Sequence, residues 1–225
     1  MKNNKLAVCG DSYWSPTKKS PGTHFSEIIC SKLDYKLLPL SRSGSSNALI
    51  CLQIEKAIQE SADIVIFGCT FESRITLSDQ EYHEPFEIAN TFGKHEYDLS
   101  IDHIPVNHRN YTSASINDSM VEDFSKKHFT LNENYHSLST QQSWMLAYWI
   151  TRLQEAKIKF IFSSYYLTQH NSRAKNIFQK FQKHDINDIP YIYEDCTNDP
   201  GYHTHPDSQK LIADQIINKY KECYS

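Results

Sequence analysis

The sequence has few glycines and no long hydrophobic segment. Only six glycines occur in 225 residues, with neither a Gly-x-Gly-x-x-Gly fingerprint nor a P-loop, so a phosphate-cradling loop has little to be built from. No stretch approaches the roughly 20 consecutive apolar residues of a membrane-spanning helix, and Met1 to Lys5 leads into a strand-like segment, unlike a signal peptide. We therefore expect a cytoplasmic protein that is not a nucleotide-binding doubly wound domain.

An excess of one charge sign is also lacking. The 23 basic and 27 acidic residues give a net charge of −4, and neither sign forms a long run, so we expect no nucleic-acid or membrane-surface partner. The six cysteines include no C-x-x-C pair, which favours reduced thiols, with a disulfide framework as the alternative. A composition of 39% hydrophobic and 22% charged residues is that of a globular domain with a sizeable core.

Segments of strand and helix character alternate along the chain. Short apolar runs predict strands at Lys5 to Cys9, Tyr35 to Leu40, Ile64 to Gly68, Lys159 to Ser163 and Tyr191 to Tyr193. Apolar residues at helical spacing predict helices at Thr23 to Leu33, Ser46 to Glu60, Gln141 to Ala156, Arg173 to Lys183 and Asp207 to Tyr220. This alternation predicts a single α/β domain over residues 1–225, with a mainly parallel sheet between two layers of helices.

The alternation is interrupted from about residue 73 to residue 140. This segment holds six of the eleven histidines, many Asn and Tyr residues and only short apolar islands. A structureless connection of that length is improbable inside a compact domain, so the insertion must have structure of its own. We interpret it as a cap over one end of the sheet, because functional loops gather at the carboxyl ends of strands. The alternative is a surface elaboration with no role in the site.

A serine follows the first predicted strand, in the segment Val8-Cys9-Gly10-Asp11-Ser12. A serine hydroxyl on such a turn can attack a carbonyl, and the backbone N–H groups around the turn can stabilise the oxyanion. Gly10 permits the tight turn. The alternative is a plain turn or helix cap, because Gly-Asp-Ser is a common tripeptide.

A base and an orienting acid stand near the end of the chain, in Asp199-Pro200-Gly201-Tyr202-His203-Thr204-His205. An activated serine needs an imidazole to take its proton, and the imidazole needs a carboxylate to hold its tautomer. The pattern His203-x-His205 also permits a metal site. No H-E-x-x-H motif, cysteine pair or EF-hand loop accompanies it, so we expect neither a metal nor a cofactor.

Four short blocks stand at the ends of predicted strands or at the start of the last helix. They are Gly10-Asp11-Ser12, Leu40 to Asn47, Ile64 to Thr70, and His205-Pro206-Asp207 with the helix that follows. In this order, and over nearly the whole chain outside the insertion, they resemble the blocks of the SGNH (GDSL-type) hydrolases. The resemblance implies a flavodoxin-like three-layer α/β/α sandwich and a serine esterase that needs no cofactor.

The resemblance also implies roles for residues of this chain. Ser12 would be the nucleophile, His205 the base and Asp199 the provisional orienter, with His203 as an alternative base. The glycine of the second block, Gly44, would give an oxyanion-hole N–H group, together with the N–H of Ser12.

Two blocks depart from the family pattern. The third block has Gly68-Cys69-Thr70 where the family has Gly-x-Asn, so Thr70 or Asn47 would have to supply the third oxyanion donor. In the last block the family aspartate is replaced by Tyr202, and Asp199 lies six residues before His205. Without a carboxylate that reaches the imidazole, the site would be a Ser–His dyad or inactive.

The substrate and the alternative functions rest on fewer residues. Arg74 is a candidate anchor for a carboxylate or a sugar hydroxyl, or else forms a salt bridge with Glu72 or the insertion. The polar, Tyr-rich insertion favours a small or carbohydrate-linked acyl ester over a long lipid. One alternative function is a binding or structural protein that keeps the scaffold and contacts a glycan or protein through the insertion. A weaker one is a metal-dependent hydrolase at His203 and His205.

Overall fold

A computed structural model describes residues 4–16, 22–42, 45–72, 74–78, 103–107, 135–187 and 206–225. The strands are β1 (Lys5–Cys9), β2 (Lys36–Pro39), β3 (Ile64–Gly68), β4 (Arg74–Ser78), β5 (His103–Asn107) and β6 (Lys159–Ser163). The α-helices are α1 (Phe25–Leu33), α2 (Asn47–Gln59), α3 (Tyr135–Glu155), α4 (Tyr165–Thr168), α5 (Ser172–Phe178) and α6 (Pro206–Tyr224). Two 3-10 helices cover Ser12–Trp14 and Gln179–His184.

Four strands form one parallel sheet in the order β2-β1-β3-β6. Every residue of β3 is buried, as expected for a parallel strand that is covered by helices on both faces. Because all four strands run in the same direction, the residues that follow Cys9, Gly68 and Ser163 meet at one edge, here called the carboxyl edge.

Hydrophobic clusters fill both faces of this sheet. Successive side chains of β1 point to opposite faces, and one cluster joins the sheet to Ile54 of α2 and Ile150 of α3. The other cluster joins it to Ile29 of α1 and Ile216 of α6. Helices therefore cover both faces, and the predicted three-layer α/β/α sandwich is confirmed.

The predicted insertion contributes an antiparallel pair of strands and the first turns of a helix. Strands β4 and β5 pair antiparallel, with Arg74 opposite Asn107 and Ser78 opposite His103. Helix α3 begins at Tyr135, six residues before the predicted start at Gln141. The insertion thus has structure of its own, and its role as a cap stays a prediction.

Other boundaries differ from the predictions around β6 and the last helices. The short helix α4 was not predicted, and the predicted helix from Arg173 to Lys183 is divided between α5 and the second 3-10 helix. Beyond this helix, residue Ile186 donates its N–H to Phe162 O at 2.8 Å, next to β6. The strand predicted for residues 191–193 lies outside the described residues.

None of the described helices combines the length and apolar character needed to cross a bilayer. The five described cysteines are unpaired, and Cys196 lies outside the described residues. Burial raises the pKa of the Cys9 and Cys51 thiols, so these thiols stay protonated and unreactive at neutral pH.

Candidate active site

Ser12 lies at the carboxyl edge, on the turn that follows β1. The turn starts at Gly10, whose φ of 149° is a backbone conformation that favours glycine. Asp11 then caps the 3-10 helix Ser12–Trp14, because its Oδ1 accepts a hydrogen bond from Tyr13 N at 3.0 Å. Ser12 is the first residue of that helix and is partly buried, so it lies at the strand end, and its role as the nucleophile stays a prediction.

The position of the Trp14 indole explains why the first and third blocks have glycine at Gly10 and Gly68. Trp14 is fully buried and lies directly against the backbone of Gly10 and Gly68. A Cβ at Gly10 would lie 2.5 Å from Trp14 Cγ, and a Cβ at Gly68 would lie 1.9 Å from Trp14 Cε2. Both distances are far below van der Waals contact, so only glycine fits at either strand end while the indole is there.

Gln53 of α2 holds the start of the turn. Its Oε1 accepts from Gly10 N at 2.6 Å, and its Nε2 donates to Gly10 O at 3.2 Å. The same Nε2 donates to Ser45 Oγ at 3.0 Å, which connects the second block to the first. A fully buried amide that pairs with both backbone groups of one residue fixes the direction in which the chain leaves β1.

Thr70 is hydrogen bonded to the residue that precedes Ser12. Thr70 Oγ1 donates to Asp11 Oδ2 at 2.9 Å, and both residues are almost fully buried. A hydroxyl has one hydrogen to donate, and here the Asp11 carboxylate accepts it. Thr70 therefore joins the end of β3 to the turn that carries Ser12.

Asn47, at the start of α2, clamps the backbone of Thr70. Asn47 Oδ1 accepts from Thr70 N at 2.9 Å, and Asn47 Nδ2 donates to Thr70 O at 2.9 Å. The second hydrogen of Nδ2 goes to Gln142 Oε1 at 2.7 Å, and Gln142 Nε2 donates to Glu72 O at 2.9 Å. Both amide hydrogens of Asn47 thus have protein acceptors.

The start of α6 is connected to the turn that carries Ser12 through the beginning of α1. Gln209, in the first turn of α6, accepts a hydrogen bond from Phe25 N at 2.8 Å. The residue before Phe25 is His24, whose Nε2 lies 3.5 Å from Tyr13 O, next to Ser12. These contacts bring the beginning of α6, at Pro206, to the side of the sheet that carries the turn.

His24 is a buried residue that sequence reasoning missed. It caps α1: its Nδ1 accepts from Ser26 N at 3.3 Å and from Ser26 Oγ at 2.7 Å. Because Nδ1 accepts, the ring hydrogen is on Nε2, which faces Tyr13 O. Burial lowers the pKa of His24 to about 4, so the ring is neutral at neutral pH. The spacing to Glu27, which completes a capping box, is a signal that could have revealed this role.

Three aromatic side chains form a wall along the carboxyl edge, and sequence reasoning missed these as well. Tyr13 follows β1, Phe71 follows β3 and Tyr166 follows β6. The rings of Phe71 and Tyr166 lie 4.0 Å apart between centroids, and those of Tyr13 and Tyr166 lie 6.5 Å apart. Phe71 is 37% exposed, so this aromatic wall offers apolar surface beside Ser12.

The structure brings together Ser12, Asn47 and Thr70 among the predicted site residues. Asp199, His203, His205 and Gly44 lie outside the described residues. Arg74 is described only as the first residue of β4. Within the described ranges, no group of three or more histidine, cysteine or acidic side chains is arranged to hold a metal ion.

At the level of sequence, no protein-family model and no curated protein matches the chain. Solved structures match its fold. The psychrotrophic esterase EstA from a Pseudoalteromonas species aligns with a TM-score of 0.53 at 11% identity, covering 98% of each chain. An acetyl xylan esterase aligns with a TM-score of 0.50 at 10% identity, covering 95% of this chain and 98% of that chain. A G-D-S-L family protein from Desulfitobacterium hafniense aligns with a TM-score of 0.51 at 6% identity, covering 98% of this chain and 99% of that chain. The fold is therefore that of the SGNH (GDSL-type) hydrolases, as the four blocks implied.

Proposed function

We propose that the protein is a serine esterase of the SGNH type that hydrolyses a small or carbohydrate-linked acyl ester. The observation that carries this proposal is the position of Ser12. It lies partly exposed at the carboxyl edge, on a turn that Asp11 caps and that hydrogen bonds from Gln53 and Thr70 hold in place. A nucleophile fixed in this way loses little conformational freedom in the reaction.

His205 is the base in this mechanism. It directly precedes Pro206, and the first turn of α6 contacts α1 next to the nucleophile turn through Gln209 and His24. Ser12 Oγ attacks the ester carbonyl while His205 takes its proton, and the imidazolium then returns the proton to the leaving alcohol. Water hydrolyses the acyl-enzyme by the same two proton transfers in reverse. Asp199 orients the imidazole, and His203 is the alternative base.

The backbone N–H groups of Ser12 and Gly44 are the oxyanion donors in this mechanism. Thr70 and Asn47 have a different part, because their hydrogens already bond to Asp11, Thr70 O and Gln142. They act as positioning residues that hold the nucleophile turn and the end of β3 in a fixed relative position.

The remaining parts of the proposal concern the substrate. Residues 73–140 would cap the carboxyl edge of a single domain, with Arg74 as an anchor for a carboxylate or sugar hydroxyl. The aromatic wall of Tyr13, Phe71 and Tyr166 offers a flat apolar surface on which an acyl group or a sugar ring packs. One of the proteins of similar fold is an acetyl xylan esterase, which agrees with a carbohydrate ester.

Labelling with a fluorophosphonate, followed by intact-mass analysis, tests the nucleophile. We expect one adduct on the wild-type protein and none on Ser12→Ala. His205→Ala should lose the adduct as well, whereas the exposed His170 provides a matched control, His170→Ala, that keeps it. Loss of the adduct in His203→Ala instead would identify His203 as the base. No adduct on folded wild-type protein would contradict the esterase proposal.

A second candidate function is that of a binding protein, which has the SGNH fold but has lost the esterase activity. The observation that favours it is the Thr70 hydroxyl, which replaces the family asparagine and donates to Asp11. Loss of one oxyanion donor commonly costs on the order of a hundredfold or more in rate. A panel of p-nitrophenyl acetate, p-nitrophenyl octanoate and acetylated xylo-oligosaccharides separates the two candidates, because the binding protein would hydrolyse none of them at a Ser12-dependent rate.

A further inference from the structure

The surface formed by α3 and α5, here called the α3–α5 face, exposes two large aromatic side chains. Trp144 is 60% exposed and Tyr148 is 59% exposed. Their spacing of four residues puts them one turn apart on the same side of α3. Among the described residues, the other large hydrophobic side chains that are exposed are Phe71 and Leu211, and both are less exposed. Neighbouring exposed aromatic rings are a common feature of surfaces that bind a ligand or a partner.

Trp144 lines a groove, and a second cavity lies next to that groove. A groove of about 370 Å³ is lined by Trp144 and Lys180, and a cavity of about 450 Å³ is lined by Lys175 and Lys219. Asn176 and Gln179 line both cavities. The groove that Trp144 lines therefore continues past Asn176 and Gln179 into the larger cavity, and Tyr148 lies one helical turn away from Trp144 on α3.

The polar groups of this surface suit a sugar. The side-chain amides of Asn176, Gln179 and Gln182 each offer a donor and an acceptor, which match adjacent hydroxyl groups. Asn187 Oδ1, in the wall of the larger cavity, is buried and has no hydrogen-bond partner within the described ranges. A buried acceptor of this kind is satisfied when a ligand hydroxyl donates to it.

The charge of this surface is positive. Lys175, Lys180 and Lys219 line the two cavities, while Asp185 is the single carboxylate among the lining residues. That carboxylate already accepts hydrogen bonds from Ser164 Oγ at 2.6 Å and Ser164 N at 3.2 Å. Lys219 also pairs with a carboxylate outside the lining, because its Nζ lies 4.0 Å from Glu222 Oε2. In a chain with a net charge of −4, this local excess of ammonium groups favours a ligand that carries carboxylates.

We propose that the α3–α5 face binds an acidic polysaccharide, with Trp144 and Tyr148 packing on sugar rings and the lysines pairing with sugar carboxylates. Aromatic rings join a flat apolar face to a polar edge, which matches the C–H face and the hydroxyl rim of a sugar. A protein partner fits less well, because the cores of protein interfaces are depleted in lysine. Binding at this face needs neither Ser12 nor the ester reaction, so this proposal and the esterase proposal can fail separately.

Isothermal titration of Ser12→Ala protein with oligogalacturonate tests the proposal, with neutral xylohexaose as the control ligand. We expect oligogalacturonate to bind more tightly and its affinity to fall with added salt. Adding Trp144→Ala should weaken binding about tenfold, and Lys180→Gln should weaken it and reduce the salt dependence. The matched control is Leu211→Ala, which removes an exposed side chain of α6 and should leave the affinity unchanged. In the presence of Ser12, Trp144→Ala should hydrolyse p-nitrophenyl acetate at the wild-type rate.

Several results would overturn this proposal. One is the absence of oligogalacturonate binding, and another is equal binding by protein with and without Trp144→Ala. Tighter binding of xylohexaose would refute the assignment of an acidic ligand. Sedimentation that shows a dimer which Trp144→Ala dissociates would identify the α3–α5 face as an interface between two copies of the chain.

Discussion

Replacing Thr70 with valine tests whether this residue holds the nucleophile turn or takes part directly in the reaction. Valine keeps the shape and volume of threonine but lacks the hydroxyl that donates to Asp11 Oδ2 at 2.9 Å. Asp11 is only 1% exposed, so bulk water does not reach its carboxylate to replace the lost donor. The substitution therefore leaves a buried acceptor with one hydrogen bond fewer.

The expected magnitude follows from that lost bond. A hydrogen bond to a charged group contributes about 1.5–3 kcal/mol, so we expect Thr70→Val to lower the free energy of unfolding by about 2 kcal/mol. For a chain of this length, that corresponds to a fall in Tm of about 4–8 °C. Thr70→Ser keeps the hydroxyl and loses one buried methyl group, which costs about 1 kcal/mol. The serine variant should therefore be more stable than the valine variant.

Thermal and urea unfolding followed by circular dichroism measure these differences, and kcat for p-nitrophenyl acetate is measured well below both transitions. The reasoning fails if Thr70→Val is as stable as the wild type or more stable than Thr70→Ser. A hundredfold loss of kcat with unchanged unfolding would show that the Thr70 hydroxyl turns from Asp11 to the oxyanion during the reaction.

Three further variants test other contacts of the site. Gly68→Ala puts a Cβ 1.9 Å from Trp14 Cε2 and should cost about 1–3 kcal/mol or more in urea unfolding; an unchanged midpoint would contradict this packing. Burial holds the pKa of His24 at about 4, against about 6.5 for an unfolded histidine, so the unfolded state binds more protons between these values. The free energy of unfolding of the wild type should therefore fall by about 2 kcal/mol from pH 7 to pH 5, whereas that of His24→Asn should not show this fall. Equal pH profiles of unfolding for the wild type and His24→Asn would refute this prediction. Gln53→Leu deprives Gly10 N and O of a buried partner and should cost about 1–3 kcal/mol with slower fluorophosphonate labelling; labelling at the wild-type rate would argue that the turn needs no such support.

The parallel core could be predicted because its signals are local. Strands β1 and β3 are short apolar runs, and their predicted bounds agree with the structure. The first turns of α3 could not be predicted in this way, because residues 135–140 are mostly polar. Asn171 supports them from α5, through hydrogen bonds from its Nδ2 to Ser139 Oγ and to Thr140 Oγ1. The local spacing of apolar residues does not reveal a contact between residues that are about thirty positions apart.

The candidate site was predictable to a similar extent. A serine after the first strand can be recognised from the sequence alone, and Ser12 lies at the strand end where that motif places it. The hydrogen bonds between Asn47 and the backbone of Thr70 join residues 23 positions apart. The local sequence around either residue does not predict them. The two glycines beside Trp14 suggest a turn when each is considered alone, whereas the packed indole that requires both is visible only in the structure.

Gln142 ties together the two ends of the insertion. It lies two residues after the last inserted residue, and its Nε2 donates to the carbonyl of Glu72, just before the first inserted residue. The distance between the ends is therefore fixed by the core, whatever number of residues lies between them. Doubling the length of a flexible loop with fixed ends adds only about 0.6 kcal/mol of closure entropy. A change in the number of residues between β4 and β5 therefore adds little closure entropy to the cost of folding the parallel core.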